Sequence, residues 1–207
     1  LIEEARTNFA TGSYIFGDAT YWVNPSVFTV TAANSIFSGR TAWRHTALGV
    51  TGSRFKSIQS SVNGQVECFS AIFENVDAIN LHLSIYDVTT VAHVATLRLT
   101  YDTGATTLTR GTGTVGSRFL GIGPNGGKTY LVWVTITGTA SGTNGVGNVR
   151  SYNLTPQGEG VSSYSAIIHH AQFEANASAP SSAIITTGST VTRNADQLQY
   201  DTANWFA

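Results

Sequence analysis

The chain has 207 residues, of which 42% are hydrophobic and only 11% charged, a balance that argues against intrinsic disorder and suits one large globular domain. Its net charge is −1 and its 11 Lys and Arg are scattered, so the basic cluster that nucleic-acid binding requires is missing. No run of 18 apolar residues is present, so no membrane insertion is expected, and no signal peptide is apparent.

Short runs of β-branched and aromatic residues recur along the chain between clusters of Gly, Asn, Ser and Thr, and no segment keeps a helical period. In chain order, strands are predicted at 4–10, 27–32, 41–48, 54–60, 65–74, 79–87, 93–101, 106–111, 117–122, 128–137, 147–154, 163–174 and 183–186. No internal repeat or linker divides the chain. Many short strands at regular spacing are typical of a sandwich or barrel, so the predicted fold is all-β, a two-sheet antiparallel β-sandwich.

Alternation within three of these strands predicts which side chains face the core. In 79–87 one face consists of Leu81, Leu83 and Ile85, and the other face carries His82 and Tyr86. In 128–137 the apolar face consists of Tyr130, Val132, Val134 and Ile136. In 163–174 one predicted face holds Ile167, His169, Ala171 and Phe173, and the other holds Ala166, Ile168, His170, Gln172 and Glu174. Because this strand is apolar on parts of both faces, it is expected to be central in a sheet.

Catalytic chemistry is not indicated by the acidic residues. A glycosidase needs two carboxyl groups facing the scissile bond, and none of the 12 Asp and Glu form a clustered pair on one strand face. A Gly-x-Ser-x-Gly nucleophile elbow and the full Gly-x-x-x-x-Gly-Lys-Ser/Thr motif of a phosphate-binding loop are both missing. The chain is therefore predicted not to be an enzyme. Because carboxylates distant in sequence can meet through folding, a polysaccharide hydrolase or lyase is kept as an alternative.

Metal binding has equally little support in the sequence. The five His include the neighbours His169 and His170, which a strand places on opposite faces, and no His-x-His or His-x-x-x-His spacing occurs. The single cysteine, Cys68, lies in an apolar run and is expected to be a buried thiol. No motif requires a cofactor. Structural calcium, bound by loop carboxylates and carbonyl oxygens, is the metal that the composition allows, and its ligands are unknown.

The two ends of the chain carry the most specific patterns. Residues 2–8 (IEEARTN) resemble the IE-x-x-RTN opening of a β-sandwich domain that recurs in phage and viral structural proteins, and residues 171–174 (AQFE) are similar to a later strand of that domain. Residues 185–196 (ITTGSTVTRNAD) resemble its closing IPTTG-x-x-VTR-x-AD, although Ile184-Ile185 replaces the usual Tyr-Ile-Pro. Val66–Phe73 and Lys128–Thr137 match its middle strands more loosely.

This resemblance implies a jelly-roll, galactose-binding-like sandwich, because the domain is related to the carbohydrate-binding modules that accompany xylanases and cellulases. It implies one domain over residues 1–196, followed at 197–207 by a tail in which a further domain begins. The residues that carry the pattern are expected to tie the terminal strands together through hydrogen bonds; they are Arg6, Asn8, Gln172, Glu174, Arg193 and Asp196.

The function implied by the resemblance is non-catalytic binding of a polysaccharide or cell-surface glycan, at a virion surface or outside the cell. The chain is expected to be part of a longer viral polypeptide with other domains, which agrees with its lack of Met and with the unpaired Cys68. A purely structural decoration domain of a virion or tail is the alternative from another class.

Sugar recognition uses aromatic rings that stack on pyranose faces and polar groups that bond to hydroxyls. The candidate ligand-binding residues are Trp43, Trp133, Tyr86 and His82, with Arg150, Tyr152 and His45 as polar support and Trp22 as a further aromatic candidate. Each has a structural alternative: Trp43 and Trp133 also suit the core, and Arg150 could pair with a surface acid.

Overall fold

The computed structural model describes residues 4–22, 28–48, 54–60, 64–87, 92–138, 149–157 and 163–195. These residues form thirteen β-strands and no helix. None of them therefore belongs to a helix that could cross a membrane. The strands are β1 (Arg6–Asn8), β2 (Phe28–Asn34), β3 (Thr41–Leu48), β4 (Arg54–Ser60), β5 (Val66–Asn75), β6 (Asn80–Asp87), β7 (Ala92–Thr100), β8 (Thr106–Gly111), β9 (Thr114–Ile122), β10 (Lys128–Thr137), β11 (Val149–Gln157), β12 (Ser163–Ala175) and β13 (Val191–Arg193).

The described strands pair antiparallel and form two sheets. The larger sheet has eight strands, six of them in the order β13, β1, β12, β5, β10, β9. Strand β3 also pairs with β12, and β2 pairs with β3. The smaller sheet has five strands in the order β4, β11, β6, β7, β8. Four strand pairs are nested in the sequence, each one lying between the two strands of the pair before it: β3–β12, β4–β11, β5–β10 and β6–β7. Successive pairs in this series belong to alternate sheets. This alternation is the connectivity of a jelly roll, so the predicted fold class is confirmed.

The core lies between the two sheets and takes one face of each. The core residues of β6 are Leu81, Leu83 and Ile85, and those of β10 include Val132, Val134 and Ile136, all at most 3% exposed. Both faces agree with the predicted alternation. Burial of one apolar face fixes this alternation, because a slip of one residue would turn the whole apolar set towards water.

Strand β12 lies inside the larger sheet, between β5 on one side and β1 and β3 on the other, as predicted, but its predicted faces are wrong. A β-bulge interrupts its pairing with β5 between Ile168 and His170. Before the bulge, Ala166 and Ile168 belong to the core, whereas after it Ala171 and Phe173 do. A bulge adds one residue to one strand only, so an alternation that is continued across it assigns one half of the strand to the wrong face.

Side chains of the terminal sequence pattern join the two ends of the described chain through hydrogen bonds, as expected. The side chain of Asn8 donates to the carbonyl of Ile184 (2.8 Å) and accepts from the backbone N–H groups of Ala10 (2.9 Å) and Phe173 (3.0 Å). Comparable side-chain bonds to backbone groups link Arg6 to Asn176, Gln172 to Ile184, Glu174 to Ser181 and Arg193 to Glu4. Asp196 lies outside the described residues.

The segment 183–186, predicted to be a strand, is not one. The N–H of Ile184 donates to the side-chain oxygen of Gln172 (2.7 Å), and the N–H of Thr186 donates to the hydroxyl of Ser13 (3.0 Å). These backbone groups therefore bind side chains in place of a neighbouring strand. The last described strand is instead β13, which pairs with β1. The tail at 197–207 lies outside the described residues, so the domain boundary stays a prediction.

Candidate functional site

The predicted ligand-binding residues are divided among separate places in the fold. Beside the core and the N-terminal segment lie Trp22, Trp43 and His45. The outer face of the smaller sheet carries His82 and Tyr86, and the outer face of the larger sheet carries Trp133. The backbones of Arg150 and Tyr152 belong to β11, but their side chains lie outside what the structure describes.

Trp22 and His45 are core residues in this structure. The indole N–H of Trp22 donates to the carbonyl of Gly12 (2.8 Å), and its ring centroid lies 4.7 Å from that of Phe16. The ring of His45 meets Phe16 edge-on at 6.0 Å. Both side chains are fully buried, so neither presents a surface to a ligand in solution. Trp43 is half-buried and packs against the same core.

Trp133 forms the floor of a groove on the outer face of the larger sheet. It lies on β10 directly opposite Gly116 of β9. A Cβ atom at position 116 would lie 2.2 Å from Cζ2 of the indole, so the six-membered ring occupies the space that any other side chain would need. The indole therefore lies across β9 and lines the groove with an aromatic surface.

The wall of the groove is the segment 179–183, which follows β12. Ser181 anchors it to the sheet, because its N–H donates to the carboxylate of Glu174 (3.0 Å) and its hydroxyl accepts from the amide of Gln172 (3.1 Å). The groove has a volume of about 290 Å³ and is lined by Arg118, Leu131, Trp133, Ala179, Pro180, Ser181 and Ser182. An adjoining cavity of about 60 Å³ extends to Ser70, Ile72, Leu120, His170, Gln172 and Ala183.

The groove combines apolar surface with hydrogen-bonding groups. Trp133 and Pro180 supply apolar faces, the guanidinium of the exposed Arg118 supplies N–H donors, and Ser182 supplies a hydroxyl. The described residues that line the groove and the adjoining cavity include no Asp or Glu. Within the described part of the chain, the groove is therefore equipped to hold a ligand that has both apolar faces and hydroxyl groups, and lacks the carboxylate pair of a glycosidase.

Of the residues that line the groove, Trp133 is predicted from the sequence as ligand-binding and the others are not. Arg118 pairs with Leu131 on β10, two residues from Trp133, and this proximity depends on a register that the sequence does not reveal. Pro180 comes from a segment outside any strand. One signal was available: Gly116 lies inside a strand, where a glycine often marks the close approach of another group. The predicted strand at 117–122 began one residue too late to include it.

A fully buried acid–base pair of the larger sheet has a structural function. The side chains of Glu74 and His169 are fully buried, and Nε2 of His169 donates to the carboxylate at 3.1 Å. Nδ1 of His169 accepts from the N–H of Ile36 (3.3 Å), and burial lowers the pKa of this imidazole although the carboxylate opposes the effect. Glu74 also accepts from the backbone N–H groups of Asn125 and Gly127, both at 2.8 Å. The pair thus holds the turn between β9 and β10 against the sheet.

The described residues contain no group of three His, Cys, Asp or Glu side chains that could hold a metal ion. Structural calcium stays a prediction. Cys68 is buried, as expected, and burial raises the pKa of its thiol well above the ordinary value.

The fold and the groove together define a jelly-roll β-sandwich with an aromatic-floored groove on the outer face of its larger sheet. No protein-family model and no curated protein matches this chain. Among solved structures, the chain is similar to the enzymatically active domain of tailspike protein 4 from bacteriophage CBA120, with 11% identity and a TM-score of 0.49. The match covers 81% of this chain but only 21% of the tailspike chain.

Two further solved structures have a similar architecture. One is a cyclase from Fischerella sp. TAU, with 9% identity, a TM-score of 0.44, and 84% of this chain and 87% of that chain covered. The other is a family 11 carbohydrate-binding module from Clostridium thermocellum in complex with a β-1,3-1,4-mixed-linked tetrasaccharide. Its identity is 10% and its TM-score 0.39, with 83% of this chain and 96% of that chain covered. The ligand and the activities named for these structures belong to those proteins.

Proposed function

We propose that this chain is a non-catalytic carbohydrate-binding module of a phage or viral surface protein, with a polysaccharide or cell-surface glycan as its ligand. The observation that carries the proposal is the pairing of Trp133 with Gly116, which lays an indole ring along the groove beside Arg118. The function requires a rigid aromatic surface next to polar groups, and the groove has both.

The chemistry of a sugar ring fits these groups. One face of a pyranose exposes mainly C–H groups, which pack against an indole, while its hydroxyls project from the ring edge. Arg118 would donate to a hydroxyl or ring oxygen, and Ser182 would exchange hydrogen bonds with another. The wall that Ser181 anchors is held by the sheet itself, so little ordering of the protein would accompany binding.

Binding at one such groove is expected to be weak. Each sugar hydroxyl exchanges a bond to water for a bond to protein, with only a small net gain in free energy. Several copies of the domain on one particle would raise the overall affinity through avidity. A non-catalytic function is supported by the described residues that line the groove, since none of them is an Asp or Glu.

The test is affinity electrophoresis of the purified chain against a panel of soluble polysaccharides, comparing the wild type with Trp133→Ala. We expect one or a few glycans to retard the wild type and the substitution to abolish the retardation. The matched control is Phe119→Ala, which removes an exposed ring from the neighbouring strand outside the groove. Shortened glycan products would show that the protein is an enzyme, and equal retardation of wild type and Trp133→Ala would remove the groove as the site.

A structural decoration function has one observation in its favour. The edge strand β9 carries three exposed apolar side chains, Phe119 (54%), Leu120 (40%) and Ile122 (67%). An open sheet edge with apolar residues can pair with another chain. If the chain forms a stable oligomer that Ile122→Asp dissociates, and no glycan retards it, the structural alternative replaces the proposed function.

A further inference from the structure

A second cluster of functional groups lies on the outer face of the smaller sheet, on the other side of the sandwich from the Trp133 groove. His82 of β6 pairs with Arg98 of β7, and Arg110 of β8 lies in the next row of the same face. One row further, His93 pairs with Tyr86, and the two rings meet edge-on at 5.1 Å. Directly opposed side chains in antiparallel strands lie on one face at about 5 Å between Cβ atoms, so these basic groups share a surface.

Two nitrogen atoms of this cluster are buried and have no hydrogen-bond partner in the structure, Nε2 of His82 and Nε of Arg98. Buried polar atoms are rarely left unpaired, because the lost bond to water costs free energy that nothing replaces. Within the described ranges no carboxylate forms an ion pair with Arg98 or Arg110. The adjoining strand β11 places Thr155 opposite His82, a residue that carries no charge.

The positive charges act on one another. Burial, together with the charges of Arg98 and Arg110, lowers the pKa of His82 to about 4. The pKa of His93 is lowered in the same direction, by burial first and by Arg110 second. Among the described residues no acid forms an ion pair with these arginines, so this surface has a positive potential that a bound anion would relieve.

We infer that this cluster binds the oxyanion group of an acidic polysaccharide, a uronate carboxylate or a sulfate ester, with Arg98 and Arg110 as the charged donors. The guanidinium group suits both anions, because its planar set of N–H donors matches two oxygen atoms at once. The half-buried ring of Tyr86 lies beside the cluster and offers a surface for the sugar that carries the anion. The inference rests on the proposed function and specifies an acidic ligand for it.

The test compares retardation by polygalacturonate, dextran sulfate and uncharged dextran at one ionic strength. We expect one of the two acidic glycans to retard the wild type, and the one that does so distinguishes carboxylate from sulfate recognition. Arg98→Gln should weaken this binding at least about tenfold, because it removes a charged donor from the site. The same substitution should leave the fold intact and raise the thermal midpoint without ligand, since it removes a half-buried guanidinium whose Nε atom has no hydrogen-bond partner.

The matched control is Lys128→Gln, which removes an exposed positive charge whose ammonium donates to the carbonyl of Asp102. Equal losses in Arg98→Gln and Lys128→Gln would mean unspecific attraction to net charge and would overturn the inference. Retardation by neutral glycans alone, abolished in Trp133→Ala, would also overturn it while leaving the proposed function in place. Binding of an acidic glycan that survives Trp133→Ala but is lost in Arg98→Gln would support it.

Discussion

The indole of Trp133 fills the space of the side chain that Gly116 lacks, across the β9–β10 pairing. Gly116→Ala would place a methyl group 2.2 Å from the ring, so the ring has to leave the floor of the groove. We expect this substitution to weaken glycan retardation almost as much as Trp133→Ala, although no aromatic group is removed. Gly188→Ala is the control, because a Cβ there meets only the hydroxyl of Tyr21 at 3.6 Å. Unchanged binding by Gly116→Ala would contradict the role of the ring.

Glu74→Gln should destabilise the fold. The carboxylate accepts two backbone N–H groups, from Asn125 and Gly127, and also the side-chain N–H groups of Asn125 and His169. An amide nitrogen in place of one oxygen puts a donor against donors, at an expected cost of about 1–3 kcal/mol. Urea denaturation measures the loss, with the exposed Glu4→Gln as control. Equal midpoints for the two variants would show that the Glu74 bonds contribute nothing net.

Ser13 and Thr186 form a reciprocal pair that should contribute strongly to stability. The N–H of each residue donates to the hydroxyl of the other at 3.0 Å, and the Thr186 hydroxyl donates to the carbonyl of Ala10. Thr186→Val leaves the buried N–H of Ser13 and the carbonyl of Ala10 without this partner and should lower the free energy of unfolding by about 1–3 kcal/mol. Thr192→Val, at an exposed Thr–Thr bond, should change it by much less. The prediction is wrong if both variants unfold at the same denaturant concentration.

Stability should fall as the pH drops from about 6.5 towards 4. Burial lowers the pKa of His170 from 6.5 to about 4, against the smaller opposing effect of its bond to Gln172, and His82 has a similar value. Between these pH values the unfolded chain binds protons that the folded chain does not, so stability is complete above 6.5 and is lost on acidification. For the fully buried His170, the difference corresponds to roughly 3 kcal/mol.

Denaturation at about pH 7 and about pH 4.5 measures this dependence. The variant His170→Gln should show a shallower decline than the wild type, because one group with a lowered pKa is gone. An identical decline in both proteins would assign the acid sensitivity to other groups.

The features of the fold that depend on a local sequence pattern could be predicted from the sequence. Alternation placed Leu83 and Val134 in the core, because a half-buried strand has to turn every second residue inwards. The terminal pattern identified Asn8 and Gln172 as residues that join the chain ends, and both make that connection in the structure.

Features that depend on strand register, or on a loop segment packing over the core, could not be predicted from local alternation. The pairing of Gly116 with Trp133 exists only because β9 and β10 are neighbours in one particular register. Trp22 lies in a stretch without strand pattern and is nevertheless fully buried, since the N-terminal segment packs on the core. The bulge after Ile168 in β12 leaves no mark in the alternation that precedes it.

The pairing of β1 with β13 has a mechanical consequence. Arg6 lies opposite Arg193, so the chain enters and leaves the sandwich at neighbouring points. A pulling force on the two flanking segments would peel this short ribbon open one residue pair at a time, instead of shearing all its bonds together. The force would next meet the bonds of Asn8 to β12 and to Ile184, which close the sandwich behind the ribbon. Under tension the domain would therefore lengthen first at the β1–β13 ribbon, while β9 and β10, which form the floor of the Trp133 groove, keep their pairing.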